Sequence, residues 1–257
     1  MGLFDKLFGK KEDSTVAAQT ATVTTSNSTS TTNSCVIDMS KSAASLDKVL
    51  IDMSKTSKVD MSKHTARVAL AMDYSGSMEN LFNNGSVQNV VTRLLPIALK
   101  FDDNGELESW LFSNGKERLS AITINNYSNY VKKVMQKASM RMGGTNYAPV
   151  LRDMVNYYKK NQPNTIPAFI IFITDGENWD TEETNQIVRE LSNYNIFVQF
   201  VGIGNENFNY LKSLDNLKGR KHDNTGFTKV SDMNRMSDED LYTELLRQYK
   251  DWLNGKQ

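Results

Sequence analysis

The 257-residue chain has one cysteine and two histidines, and its 30 basic side chains are balanced by 30 acidic ones. A single cysteine cannot form an internal disulfide, and no Cys/His cluster is present that would hold zinc or a redox pair. A formal net charge of zero gives no global field that would attract nucleic acid or an anionic membrane. No apolar run approaches the roughly 20 residues that a membrane-spanning helix requires. With no signal peptide recognisable either, we expect a cytoplasmic protein that does not bind nucleic acid.

The N-terminal part of the chain differs in composition from the rest. Residues 1–12 form a short amphipathic segment, typical either of a weak anchor at a membrane surface or of a frayed terminus. Its apolar stripe consists of Leu3, Phe4, Leu7 and Phe8. Residues 13–34 are rich in serine and threonine and have almost no large apolar side chain, so they predict a disordered linker.

Residues 35–63 contain a short motif, Asp-Met-Ser-Lys, three times. The copies begin at Asp38, Asp52 and Asp60. The alternation of apolar and polar residues within each copy predicts extended segments that dock on the rest of the protein, and a mobile linker is the alternative.

From residue 64 to residue 254, strand and helix patterns alternate. The predicted strands are 66–72, 106–112, 168–173 and 196–201. The predicted helices cover 87–101, 125–138 and 148–160, with further helices beginning after Asp180 or Thr181 and after Ser237. Alternation of this kind predicts an α/β fold, a doubly wound and mostly parallel sheet with helices on both faces.

Three short polar segments lie where apolar runs end. They are 73–77 (Asp-Tyr-Ser-Gly-Ser), 143–146 (Gly-Gly-Thr-Asn) and 174–177 (Thr-Asp-Gly-Glu). In an open α/β fold such positions line the crevice at the carboxyl ends of the strands, so a shared site is expected there. Its candidate ligands are Asp73, Ser75, Ser77, Thr145 and Asp175. Hydroxyl and carboxylate oxygens favour a hard divalent cation, with Mg²⁺ the first choice and Mn²⁺ or Ca²⁺ the alternatives.

These three segments, D-x-S-x-S, Gly-Gly-Thr and T-D-G, resemble the metal-ion-dependent adhesion site (MIDAS) of von Willebrand factor A (vWA) domains. Longer stretches are similar to the copine-like vWA branch of bacterial tellurium-resistance (Ter) stress-response proteins. These stretches are 66–78, 91–103, 197–204 and 219–224. The resemblance covers roughly residues 46 to 254, and we expect no complete Ter β-sandwich domain in residues 1–63, which are too few for one.

The resemblance implies a non-catalytic module whose bound cation recruits an acidic residue of another protein. It implies direct ligation by Ser75 and Ser77, ligation by Thr145 in the ligand-ready state, and contacts largely through water from Asp73 and Asp175. It also implies a role in tolerance to tellurite and other chemical stress or to phage infection.

Two other functions remain open from the sequence. Asp73 after a first strand could be the nucleophile of a magnesium-dependent phosphoryl-transfer enzyme, although Ser75 stands where such enzymes generally have a second acid. Residues 1–11 could make the protein a peripheral adaptor at the inner membrane face.

Trp179 and Tyr147 near the predicted metal loops are either partner anchors or packing residues. The sequence does not determine the oligomeric state.

Overall fold

The computed structural model describes residues 39–161 and 165–255, and these residues form a six-stranded sheet in the order β3-β2-β1-β4-β5-β6. The strands are β1 Arg67–Asp73, β2 Leu107–Phe112, β3 Lys116–Arg118, β4 Ala168–Thr174, β5 Ile196–Ile203 and β6 Thr225–Val230. All neighbouring pairs are parallel except β2 and β3. The predicted doubly wound, mostly parallel sheet is therefore confirmed.

Helices cover both faces of this sheet. They are α1 Met39–Ser54, α2 Glu79–Asn83, α3 Ser86–Phe101, α4 Tyr130–Lys133, α5 Ala148–Asn161, α6 Thr181–Leu191, α7 Asn209–Asp215 and α8 Asp238–Gly255. Side chains of α1, α3 and α8 build one hydrophobic core, and those of α5, α6 and α7 build the other. Strand β1 supplies Val68 and Leu70 to the first core and Ala69 and Ala71 to the second, because successive side chains of a strand point to opposite faces.

The strand order reverses between β1 and β4. Strand β1 pairs with β2 on one side and with β4 on the other, so the loops that follow β1 and β4 leave the same edge of the sheet side by side. Ligand sites of open α/β sheets form at such a switch point. The fold therefore places the first and third polar segments next to each other.

The helix that begins after Ser237 has the predicted capping box. The Ser237 hydroxyl accepts the Asp240 N–H at 3.1 Å and donates to the Asp240 carboxylate at 2.7 Å. The predicted helix at 148–160 is also confirmed, as α5.

The prediction of extended segments in residues 35–63 is wrong for the described part. Helix α1 contains the last three residues of the first copy and the first three of the second, and the third copy includes a 3₁₀ turn at Met61–Lys63. The buried side chains of α1 recur at helical spacing and pack against α3 and α8. They are Met39, Ser42, Ala43, Leu46, Val49, Leu50 and Met53. A four-residue motif is too short to distinguish this period from the alternation of a strand.

The predicted single helix at 125–138 is also wrong. This segment forms three short pieces instead, the 3₁₀ turns Tyr127–Asn129 and Met135–Lys137 on either side of α4. Val134 adopts φ −119° and ψ −63°, outside the usual helical range, and separates the last two pieces.

The predicted segments 1–12 and 13–34 lie outside the described residues, as do residues 35–38. Within 39–161 and 165–255, no helix is long and apolar enough to span a bilayer.

Candidate metal centre

The three polar segments meet at the carboxyl edge of the sheet. Ser75 and Gly143 form an isolated parallel β-bridge, and the Gly76 N–H donates to the Gly143 carbonyl at 3.0 Å. A Cβ atom at position 143 would lie 2.2 Å from Asn114 Oδ1, so a larger residue there would displace the Asn114 side chain. The first two segments are thus joined through their backbones.

A chain of side-chain oxygens connects the first and third segments. Ser75 Oγ lies 3.0 Å from Ser77 Oγ, and Ser77 Oγ donates to Asp175 Oδ1 at 2.8 Å. Ser75 is buried, Ser77 is exposed and Asp175 is half-buried. The oxygens therefore run from the interior of the crevice to its surface.

Asp73 forms the base of the site and is fully buried. Its Oδ1 accepts the Ser75 N–H at 2.8 Å, and its Oδ2 accepts the Thr174 hydroxyl at 2.6 Å. Burial raises the pKa of the Asp73 carboxyl to about 6, and the nearby Asp175 carboxylate adds to the rise. Both Asp73 oxygens already accept hydrogen bonds from the protein. Asp73 therefore adds negative charge and a fixed geometry to the site more readily than it offers an exposed lone pair to a metal.

Asp175 also carries uncompensated charge. Burial raises the pKa of its carboxyl, and Glu206 raises that pKa further by charge repulsion, while the Ser77 hydrogen bond lowers it. Among the described residues, neither Asp73 nor Asp175 forms an ion pair with a basic side chain. Two carboxylates that lie close together without a basic side chain favour the binding of a cation.

The loop that carries Thr145 is held by several hydrogen bonds. The Asn114 side-chain oxygen accepts the Gly144 N–H, the Asn146 N–H donates to Ser113 O at 2.9 Å, and the Trp179 N–H donates to Thr145 O at 3.1 Å. Thr145 itself is 7% exposed. The loop thus ties the second segment to the ends of β2 and β4.

The donor set fits a hard divalent cation better than a soft one. No group of three His, Cys, Asp or Glu side chains able to hold a metal occurs in 39–161 or 165–255. What converges instead is two carboxylates and serine hydroxyls, with a threonine on the adjoining loop. Oxygen donors of this kind suit Mg²⁺, Mn²⁺ or Ca²⁺.

Three supporting residues were not predicted from the sequence. Thr174 and Asn114 hold Asp73 and Gly144, as described above. Thr174 lies in the third polar segment, and its position there was the available signal, whereas Asn114 lies in the turn between β2 and β3. The Asp180 carboxylate accepts the N–H groups of Tyr147 at 3.0 Å and Ala148 at 2.7 Å, so it fixes the start of α5 from the loop after β4.

The two aromatic residues near the loops differ in exposure. Tyr147 is fully buried, and its hydroxyl donates to the Gly176 carbonyl, so it is a packing residue. Trp179 is 84% exposed although its backbone is fixed by Thr145. An exposed tryptophan on a fixed loop is available to another molecule.

Residues 65–257 match the model of a protein family, vWA-TerF-like, described as the vWA domain found in the TerF C terminus. The uncharacterised protein YcbR of Bacillus subtilis (strain 168) is 41% identical over 198 residues, which are 76% of this chain and 81% of YcbR.

Two solved structures share the fold at low sequence identity. Proximal thread matrix protein 1 from the mussel byssus, with a zinc-occupied MIDAS motif, matches with a TM-score of 0.52 and 14% identity over 73% of this chain. This chain covers 46% of the mussel protein, which is less than half of its length. Manganese-loaded TRAP protein of Plasmodium vivax gives a TM-score of 0.52 and 14% identity, covering 73% of this chain and 74% of TRAP. Together with the match over residues 65–257, these similarities show that the chain belongs to the von Willebrand factor A family, in its TerF-like branch.

Proposed function

We propose that this protein is a non-catalytic, metal-dependent protein-interaction module. Its ligands to the metal are Asp73, Ser75, Ser77, Thr145 and Asp175. The observation that carries the proposal is the chain of oxygens from Ser75 through Ser77 to Asp175, next to two carboxylates that have no basic partner among the described residues.

The chemistry of the ligands explains why such a site would recruit another protein. Neutral hydroxyl donors leave most of the charge on a divalent cation, so Mg²⁺, or Mn²⁺ or Ca²⁺ in its place, supplies a Lewis-acidic position for one more carboxylate. We propose that an acidic residue of a partner protein fills this position. The metal-loaded mussel and Plasmodium structures, which share only the fold, are consistent with a divalent metal here.

The environment of Asp73 favours binding over phosphoryl transfer. A nucleophilic carboxylate needs an oxygen that reaches the substrate, whereas Asp73 is fully buried and donors occupy both of its oxygens. Ser75 stands where a second acid would act. The exposed indole of Trp179 beside the loops further favours contact with a macromolecule.

The TerF-like branch suggests the setting in which the module acts. We propose a role in a bacterial response to tellurite or other chemical stress, or in phage defence, within the cytoplasm. A peripheral role at the inner membrane face, with residues 1–11 as the anchor, is the second candidate. Co-sedimentation with liposomes, with and without residues 1–11, separates the two.

The metal site is tested by isothermal titration of Mg²⁺ and Mn²⁺ into wild type and an Asp73→Ala, Ser75→Ala double variant. We expect the affinity of the double variant to fall by more than about tenfold, because a buried charge and a direct ligand are both lost. A matched control is Asp251→Ala with Ser213→Ala, at exposed sites on α8 and α7. Wild-type affinity in the Asp73, Ser75 variant, with an unchanged circular dichroism spectrum, would refute the site.

A further inference from the structure

A groove adjoins the proposed metal site on the side of α2 and the start of α3. Ser77 and Asp175 are among its lining residues, and its volume is about 510 Å³. Leu81, Val87 and Met233 contribute apolar surface to it. A volume in this range is typical of pockets that bind a small ligand or a few side chains, which need about 300–1,000 Å³.

Two carboxylates lie on the rim of this groove, which we call the acid-rimmed groove. Glu206 is exposed, and its carboxylate makes no hydrogen bond or ion pair with the described residues. The nearby Lys229 ammonium donates to the Glu206 main-chain carbonyl at 2.8 Å and not to the carboxylate. The charge of Glu206 is therefore available to a ligand.

Asp232, the second rim carboxylate, already binds a guanidinium. Arg235 Nε lies 3.2 Å from Asp232 Oδ2, while 89% of the Arg235 side chain is exposed to solvent. An ion pair that is this exposed contributes little stability and exchanges readily. Asp232 thus accepts a guanidinium, and its present partner is weakly held.

The wall of the groove is fixed before any ligand binds. Asn234 Nδ2 donates to Ser86 Oγ at 2.9 Å, and Asn89 Nδ2 donates to Asn234 Oδ1 at 2.9 Å. These bonds join the 231–234 loop to the first turns of α3. Binding would therefore cost little ordering of this loop.

A groove lined by apolar side chains together with carboxylates matches one type of side chain. Lysine and arginine have an aliphatic stem that packs on apolar surface and a cationic head that remains near the solvent. A purely apolar side chain would leave Glu206 without a partner. An anionic ligand would face like charges, and the first N–H of α3, that of Ser86, is already bonded to Asn84 Oδ1 at 2.9 Å.

We propose that the acid-rimmed groove binds an arginine or lysine of the partner, close in sequence to the acidic residue that the metal takes. This inference rests on the proposed function, because the metal defines where the partner's segment begins. It adds a charge requirement: the partner presents an acidic residue and a basic residue together, so that one reaches Ser77 and Asp175 and the other reaches Glu206.

The test uses two short probes, acetyl-Asp-Gly-Arg-amide and acetyl-Asp-Gly-Gln-amide, titrated into the full chain at saturating Mg²⁺. Binding is followed by the methyl resonance of Met233, assigned with a Met233→Leu variant. We expect the arginine probe to bind about two- to fivefold more tightly, the range of an exposed ion pair. Glu206→Gln should remove this preference, whereas Asp251→Asn, an equal charge change on α8, should keep it.

A second arm separates this inference from the metal proposal. Acetyl-arginine-amide and acetyl-glutamine-amide are titrated without metal, and Mg²⁺ binding is measured independently. Arginine preference that depends on Glu206, in a protein that binds no Mg²⁺, would keep the groove and overturn the metal proposal. Equal binding of the paired probes, or a preference that survives Glu206→Gln, would overturn the groove whether or not Mg²⁺ binds. Binding of acetyl-arginine-amide alone, with no gain from the aspartate at saturating Mg²⁺, would overturn the link to the metal.

Discussion

At the scale of single residues, the environment of His64 predicts a pH dependence of stability. Its Nε2 lies 2.8 Å from the Tyr249 hydroxyl, and its ring packs edge-on against Phe101. Burial lowers the pKa of His64 to about 4. The imidazole of His64 takes up a proton near pH 6.5 in the unfolded chain but not in the folded one. The contribution of His64 to the free energy of unfolding is therefore fully present above pH 6.5. This contribution is lost as the pH falls towards 4, by up to about 3 kcal/mol.

The measurement is urea unfolding of wild type and His64→Asn at pH 7 and at pH 4.5. We expect the stability advantage of wild type to shrink at the lower pH, because only wild type must suppress protonation of a buried ring. Asp73 and Asp102, whose pKa values burial raises to about 6, act in the opposite direction but are present in both proteins. His222→Asn, at an exposed position, serves as the control. A wild-type advantage that is constant between the two pH values would contradict the prediction.

Asp180 shows what local sequence does not reveal at this scale. The pattern placed Asp180 or Thr181 at the start of a helix, and Asp180 is indeed the residue before α6. Its carboxylate, however, binds the backbone at Tyr147 and Ala148, more than 30 residues earlier in the chain. Capping preferences describe a residue and its near neighbours, so a bond between distant loops has no local signal.

At the scale of elements, helix α1 gives a prediction that uses adjacent positions. Leu50 is fully buried against the core, whereas Ile51 is 54% exposed. Leu50→Ala should lower the free energy of unfolding by about 2–5 kcal/mol through lost burial and a residual cavity. Ile51→Ala should change it by less than about 0.5 kcal/mol. Urea denaturation of both variants makes the comparison, and similar costs at the two positions would show that α1 does not dock as described.

Charged contacts connect α1 to two other helices but could not have been predicted from the sequence. Lys48 pairs with Glu239 at 2.7 Å, and Asp47 pairs with Lys100 at 2.7 Å, so one turn of α1 contacts both α8 and α3. Each of these partners is more than 50 residues away in sequence. The Asp-Met-Ser-Lys repeats predicted a short alternation of apolar and polar residues. The buried positions of α1 follow the 3.6-residue period of a helix instead.

At the scale of the whole molecule, the sequence predicted the architecture well because the strongest strands are nearly all apolar. Strand β4 is buried at all seven positions, which only a sheet covered on both faces provides. That architecture brings the ends of β1 and β4 together, so the meeting of the segments at Asp73 and Asp175 could be expected. The antiparallel edge strand β3 was missed because it has only three residues, all polar. Ligation of a metal by the five residues stays a prediction.

The position of the site at the sheet edge predicts that a bound metal stabilises the domain as a unit. Three loops from distant parts of the chain meet there, so a cation that binds them binds the folded state and not the unfolded one. At a hundredfold excess over its dissociation constant, such a ligand adds about 2.7 kcal/mol. For a domain of this size we expect the thermal midpoint to rise by about 5–10 °C. Differential scanning calorimetry with MgCl₂, against KCl of equal ionic strength, measures the rise. A Ser75→Ala, Ser77→Ala variant should show none, and an equal rise in that variant would place the stabilising cation elsewhere.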